Sequence, residues 1–154
     1  AYPPTGSLNI LTPHPAEAAR LLHTDIASVQ ADRPRSVQAL ATRHQAWVAL
    51  KGHRSLVASP TGVLCWCNPS GNPGLATAGS GDVLSGLIGA LLAQQLPTSE
   101  AITAGVWLHG LAAEQLAATG TGPIGLTAQE IAPMVRHIRN QLVHMSAAEH
   151  SLPE

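Results

Sequence analysis

The segment Asn72-Pro73-Gly74-Leu75-Ala76-Thr77-Ala78-Gly79-Ser80-Gly81-Asp82-Val83-Leu84-Ser85-Gly86 carries the strongest chemical signal in the chain. Small residues dominate it, so backbone N–H groups can approach a ligand without side-chain obstruction. It leads into an apolar helical stretch, whose first amides lack internal partners and whose dipole favours negative charge. Together these features make a cradle for a phosphate or an oxyanion. Asp82 stands at the junction and is the only charged residue between Arg54 and Glu100. A carboxylate beside such a cradle can take the proton of a substrate hydroxyl. Asp is also strongly preferred as a helix N-cap, but the small-residue run in front of it favours chemistry. Two familiar phosphate motifs are excluded. No G-x-x-x-x-G-K-[ST] is present, and Leu84 stands where a dinucleotide G-x-G-x-x-G would place its third glycine after Gly79 and Gly81.

A second group is Leu50-Lys51-Gly52-His53-Arg54-Ser55. Lys51 is the only lysine in the chain and ends an apolar strand-like run. Ligands of open α/β sheets bind beyond the carboxyl ends of strands, which suits a phosphate contact there; a lysine snorkelling from a strand end is the plainer alternative. The third group is Leu11-Thr12-Pro13-His14-Pro15-Ala16-Glu17. The flanking prolines stiffen the backbone around His14, which either meets a ligand or decorates a rigid turn. Glu17, near a helix start, complements the helix dipole. His109, His137 and His144 show no metal-ligand spacing, so they read as surface or satisfied core histidines. No G-x-S-x-G elbow supports a serine hydrolase.

Elements to position these groups can be read from periodicity. Ser7 to Thr12 suggests a strand that stops at Pro13, followed by helical patterns at Pro15 to Leu22 and Arg33 to His44. Trp47 to Leu50 suggests a buried strand, and Ser55 to Ser59 with Val63 to Trp66 a hairpin around Pro60-Thr61-Gly62. A loop covers Asn68 to Gly81, and apolar helices follow over Asp82 to Gln95, Ser99 to Ala118 and Thr127 to Val143, with Pro133 kinking or restarting the last. Strands early and helices late indicate an α/β layered domain.

Composition narrows the classes further. The 154 residues suit one domain. Hydrophobic residues are 45% of the chain, charged residues only 11%, and the formal net charge is -1. An average soluble domain carries roughly 25% charge, so this surface is expected to pack against something else or to belong to a larger unit. So few basic residues argue against nucleic-acid binding, and the apolar composition argues against disorder. No apolar run is long enough for a membrane helix, and Ala1 to Gly6 lacks the pattern of a secretory signal. Cys65 and Cys67, the only cysteines, are too close for an unstrained disulfide and lack further ligands for a metal. They read as reduced thiols in a cytoplasmic protein.

Taken in order, Thr12-Pro13-His14-Pro15-Ala16-Glu17, Leu50-Lys51-Gly52, and Asn72-Pro73-Gly74 through Gly79-Ser80-Gly81-Asp82-Val83-Leu84-Ser85-Gly86 resemble the ADP-dependent NAD(P)H-hydrate dehydratases. The resemblance runs from about Asn9 to about Val143. It implies a ribokinase-like three-layer αβα fold, with residues 1–145 the C-terminal part of a domain that lacks its N-terminal portion; residues 146–154 read, from their place at the chain end, as a flexible tail. It implies an ADP-dependent hydro-lyase, using ATP in some relatives and expected to need Mg2+. Such an enzyme phosphorylates the hydroxyl of hydrated NADH or NADPH and eliminates phosphate. By the same resemblance Asp82 is the base and a hydrate contact, Gly79, Ser80 and Gly81 are the anion hole, and Gly81 also touches the nucleotide. Lys51, Gly52, His53, Arg54 and Ser55 match the segment that holds the nucleotide, and His14 matches a hydrate-binding histidine. The partners implied are the hydrate, an adenine nucleotide, and either further copies of the chain or an upstream segment. A ribokinase-like kinase for a sugar or vitamin precursor would use the same Asp82 and anion hole, and a non-catalytic fragment would bind nucleotide without turnover.

Overall fold

The computed structural model describes residues 8–149. They form two compact units. One comprises the chain up to Pro69 together with Pro97–Thr103, and the other Ser70–Leu96 together with the chain from Ala104 onward.

The first unit begins with β1 (Ile10–Leu11), α1 (Pro15–Leu22), α2 (Ile26–Ala31) and α3 (Arg33–His44). It continues with β2 (Trp47–Leu50), β3 (Leu56–Ala58) and β4 (Leu64–Cys67). The strands form one sheet in the order β1-β2-β3-β4. β1 and β2 run parallel, as a helical crossover between strands requires. The hairpin is present: β3 is antiparallel to both β2 and β4, and Gly62 turns it with φ +81. The continuous apolar run Val48, Ala49, Leu50 is fully buried, because β2 is paired on both edges and α3 packs against it and β3. Val29, Val37, Leu40 and Ala41 complete this core. β4 differs, since all four of its residues are exposed, and both cysteines on it are free thiols.

α2 has no counterpart in the periodicity. Asp25 starts it by accepting from the Ser28 amide at 2.7 Å, a capping signal without enough apolar residues behind it to register as a stripe. α1 ends at His23 and α3 at Gln45, both left-handed.

The second unit holds a 3-10 turn (Pro73–Ala76), α4 (Ser80–Ala93), most of α5 (Thr98–Ala118) and α6 (Ala128–Glu149). α4 and α6 pack together. Leu108, Ala112, Ile131, Val135 and Ile138 form the buried centre. α6 carries Pro133 without interruption and reaches Glu149, past Ser146, where the sequence suggested a tail; residues 150–154 lie outside the described residues. No helix among the described residues is long and apolar enough to cross a membrane.

Candidate active site

In the second unit the glycine-rich segment is seated on α5 by polar staples. Ser70 Oγ donates to the Trp107 carbonyl at 2.9 Å, the Gly71 amide to Glu114 Oε1 at 2.8 Å, and Asn72 Nδ2 to the Ala113 carbonyl at 2.7 Å. Asn72 also caps the 3-10 turn, accepting from the Gly74 amide at 2.9 Å. The approach is close enough that a Cβ on Gly110 would lie 2.3 Å from Ser70 Oγ.

The chain then enters α4 through Gly79, the N-cap, at φ +83 and without a side-chain cap bond. Asp82 is therefore the third residue of the helix and not its cap. The cap position needs a left-handed backbone, which glycine adopts without a Cβ clash. The amides of Asp82 and Val83 both donate to the Gly79 carbonyl at 3.1 Å, and that of Ser80 to the Thr77 carbonyl at 3.3 Å. Among the described residues the amides of Gly79 and Gly81 have no such partner. Ser80 is turned inward: it is buried, and its hydroxyl donates to the Leu75 carbonyl at 2.6 Å. Its side chain and its amide are therefore both spent on holding the turn. Asp82 is exposed, and its carboxylate has no hydrogen bond or ion pair within the described residues. An unengaged carboxylate and unengaged amides thus share one helical turn. An apolar groove of about 530 Å3 between α4 and α6 starts one residue later, at Val83. Asp82, Gly79 and Gly81 do not line it.

In the first unit His14 and Lys51 are joined through Glu17. His14 caps α1, its Nδ1 accepting from the amides of Ala16 at 3.2 Å and Glu17 at 3.3 Å. Glu17 Oε2 reciprocates by accepting from the His14 amide at 2.7 Å, which completes a capping box. An Nδ1 that accepts leaves the hydrogen on Nε2, and Nε2 lies 3.4 Å from Glu17 Oε1. Glu17 also reaches Lys51 Nζ at 3.8 Å. Beyond Lys51 the chain turns through Gly52 at φ +138 and Arg54 at φ +52. Ser55 Oγ closes the turn on the Gly52 carbonyl at 3.2 Å. His53 and Arg54 are exposed.

Sequence reasoning missed Arg33. Its guanidinium donates to the carbonyls of Leu50 at 3.3 Å and Lys51 at 3.4 Å, and to that of His53. Burial pulls the Arg33 pKa down, and the nearby Cys67 sulfur pushes it back up. His109, which the sequence leaves as a surface or a satisfied core histidine, is buried, with Nε2 2.9 Å from the Ser80 carbonyl.

A βαβ unit joined to an antiparallel hairpin, with a glycine-led helix N-terminus beside a lone carboxylate, belongs to the ribokinase-like class of α/β proteins. A solved ribokinase-like superfamily protein from Enterococcus faecalis matches 85% of the chain and 44% of its own, at 31% identity and a TM-score of 0.65. The ADP/ATP-dependent NAD(P)H-hydrate dehydratase from Bacillus subtilis, co-crystallised with ATP and Mg2+, matches more fully. It has a TM-score of 0.84 and 31% identity, over 91% of this chain and 50% of that one. A family model described as NAD(P)H-hydrate dehydratase matches residues 4–137. The ADP-dependent (S)-NAD(P)H-hydrate dehydratase of Neisseria meningitidis is 56% identical over 133 residues, which are 86% of this chain and 45% of that protein. The chain belongs to the NAD(P)H-hydrate dehydratase family. It spans half or less of each of these relatives.

Proposed function

We propose that the protein restores hydrated NADH or NADPH by ADP-dependent dehydration. The observation that carries this reading is the first turn of α4, where the unpartnered Asp82 carboxylate shares a turn with the uncommitted amides of Gly79 and Gly81. Asp82 takes the proton of the hydrate hydroxyl as its oxygen attacks the β-phosphorus of ADP. The free amides of Gly79 and Gly81 stabilise charge on the transferred phosphoryl group, with Ser80 holding the turn between them, and AMP leaves. The carbon–oxygen bond to phosphate then breaks as the adjacent carbon gives up a proton, which restores the double bond. Lys51, Gly52, His53, Arg54 and Ser55 hold the nucleotide phosphates, and His14 meets the hydrate through its Nε2 edge. The Neisseria relative supports this, because its name carries the same activity.

Among the described residues no group of three or more His, Cys, Asp or Glu could hold a metal ion. A Mg2+ would therefore come with the nucleotide, held mainly by its phosphates and by water. Exposed free thiols at Cys65 and Cys67 support a reducing, cytoplasmic setting. Exposed Val63, Leu64 and Trp66 beside and on β4, with Leu142, Val143 and Met145 on α6, support cover by a further copy or segment.

The test is incubation with hydrated NADH and ADP while dihydronicotinamide absorbance is followed. Recovery that depends on ADP is expected. No recovery, together with ATP-dependent phosphorylation of a sugar or vitamin precursor, would replace this reading by the kinase one.

A further inference from the structure

We propose that His109 is a positioning residue for the anion hole, holding the Ser80–Gly81 peptide so that the Gly81 N–H faces the transferred phosphoryl group. The inference rests on the reading of this turn given above. Three observations meet here. His109 is buried on α5, with Nε2 2.9 Å from the Ser80 carbonyl oxygen. A carbonyl can only accept, so Nε2 carries the hydrogen and the imidazole donates. The Ser80 carbonyl and the Gly81 N–H belong to one planar trans peptide and point in opposite directions. Fixing the oxygen from inside therefore fixes the direction of the Gly81 N–H, which has no partner of its own among the described residues.

The surrounding geometry limits the ways this peptide can rotate. Ser80 Oγ is bound to the Leu75 carbonyl, so the residue is held by its side chain and by its carbonyl. Gly79 in front sits at φ +83, where a Cβ would also come within 3.3 Å of the Ala128 Cβ. Gly110, next to His109, is pressed against Ser70, which keeps α5 close to the segment that His109 supports. A donor on the carbonyl also polarises the peptide and strengthens its N–H as a donor, by roughly 10–30% per added bond. His109 thus acts through Gly81 and touches no substrate.

The experiment compares wild type, His109→Leu and His109→Gln in the repair assay, with kcat and the ADP KM measured separately. Gln can place an amide nitrogen near the Nε2 position, whereas Leu fills space and donates nothing. His109→Leu is expected to lower kcat about 10-fold or more with the ADP KM changed less than about twofold, and His109→Gln to recover most of the loss. An unchanged kcat in His109→Leu, or an equal loss in a folded His109→Gln, would overturn the proposal. Nitrogen NMR of the wild-type imidazole provides a readout independent of turnover. The Nε2–H tautomer is expected, and an Nδ1–H tautomer overturns the proposal even if His109→Leu fails to fold. Wild type without repair activity would overturn the proposed function alone. His109 would then be judged by its tautomer and by the Gly81 amide shift on adding inorganic phosphate, which is expected in wild type and His109→Gln and weakened in His109→Leu.

Discussion

The turn after β2 and the segment entering α4 solve the same mechanical problem with opposite electrostatics. Each is held from behind by a side chain that donates to backbone carbonyls: Arg33 to Leu50, Lys51 and His53 in one unit, His109 to Ser80 in the other. Around Lys51 the charges are already partnered, because Glu17 lies 3.8 Å from Lys51 and 3.4 Å from the His14 ring. At α4 the one charge, Asp82, is unpartnered, and so are two amides beside it. On the proposed reading the Lys51 cation needs a stable direction, which the Glu17 carboxylate beside it provides. A group that takes a proton needs a free lone pair, which any partner would occupy.

This contrast can be broken in order of expected effect. Asp82→Asn removes the proton acceptor while leaving size and exposure nearly unchanged. Its kcat should fall by about 10²–10⁴, while its denaturation midpoint stays within the range of a neutral surface change, about 0.5 kcal/mol. Equal losses of activity and stability would contradict an unpartnered Asp82. Gly110→Ala attacks the seating of the segment. Its Cβ would meet Ser70 Oγ at 2.3 Å and the Ser70 backbone at 2.8 Å, so urea unfolding should show a loss of about 1–3 kcal/mol. Gly86→Ala is the control on α4: nothing lies within 4 Å, and a gain of about 0.5–1 kcal/mol from helix propensity is expected.

Arg33→Ala should raise the ADP KM by about 10-fold, and Arg33→Lys should not restore it, since one ammonium cannot reproduce the planar fork that serves three carbonyls. An unchanged KM in a folded Arg33→Ala would separate the Lys51 turn from nucleotide binding.

The smallest effect concerns acid. Glu130 accepts from the Thr127 amide at 2.7 Å and the Thr127 hydroxyl at 2.8 Å; the amide bond first, then the hydroxyl, holds its carboxyl below the ordinary Glu value. A pKa lower in the folded than in the unfolded chain stabilises above the unfolded value, and that contribution disappears as pH falls through the folded one. Glu130→Gln should therefore melt below wild type at neutral pH and converge with it in acid. A constant difference across the series would contradict this assignment.

Much of this was legible in the sequence. The α1 pattern at Pro15–Leu22, α3 at Arg33–His44 and β2 at Trp47–Leu50 coincide with the elements found, because each has an apolar period or run bounded by clear stops. Loop residues and helix starts were harder. Asp82 suggested itself as a cap by residue type, yet α4 starts at Ser80, since a left-handed Gly79 does the capping with no side chain to betray it. Ile26–Ala31 was missed because Ile26 and Val29, its two large apolar residues, make no stripe over six positions. The supports of both sites were the least legible. Arg33 and Leu50 are 17 residues apart, His109 and Ser80 29, and Glu114 and Gly71 43, and no local period encodes such pairings. The residue type of His14 suggested a ligand contact or the decoration of a rigid turn; the structure shows it capping α1, a role neither reading contained.

The central claim is that this family member transfers a phosphoryl group to the hydrate and then eliminates it, with both steps served by the turn containing Asp82. Its most direct test is the stoichiometry of AMP, inorganic phosphate and restored NADH when hydrated NADH is turned over with ADP. Equal amounts of all three are predicted. AMP formed with a stable phosphorylated product and no restored NADH would contradict the account.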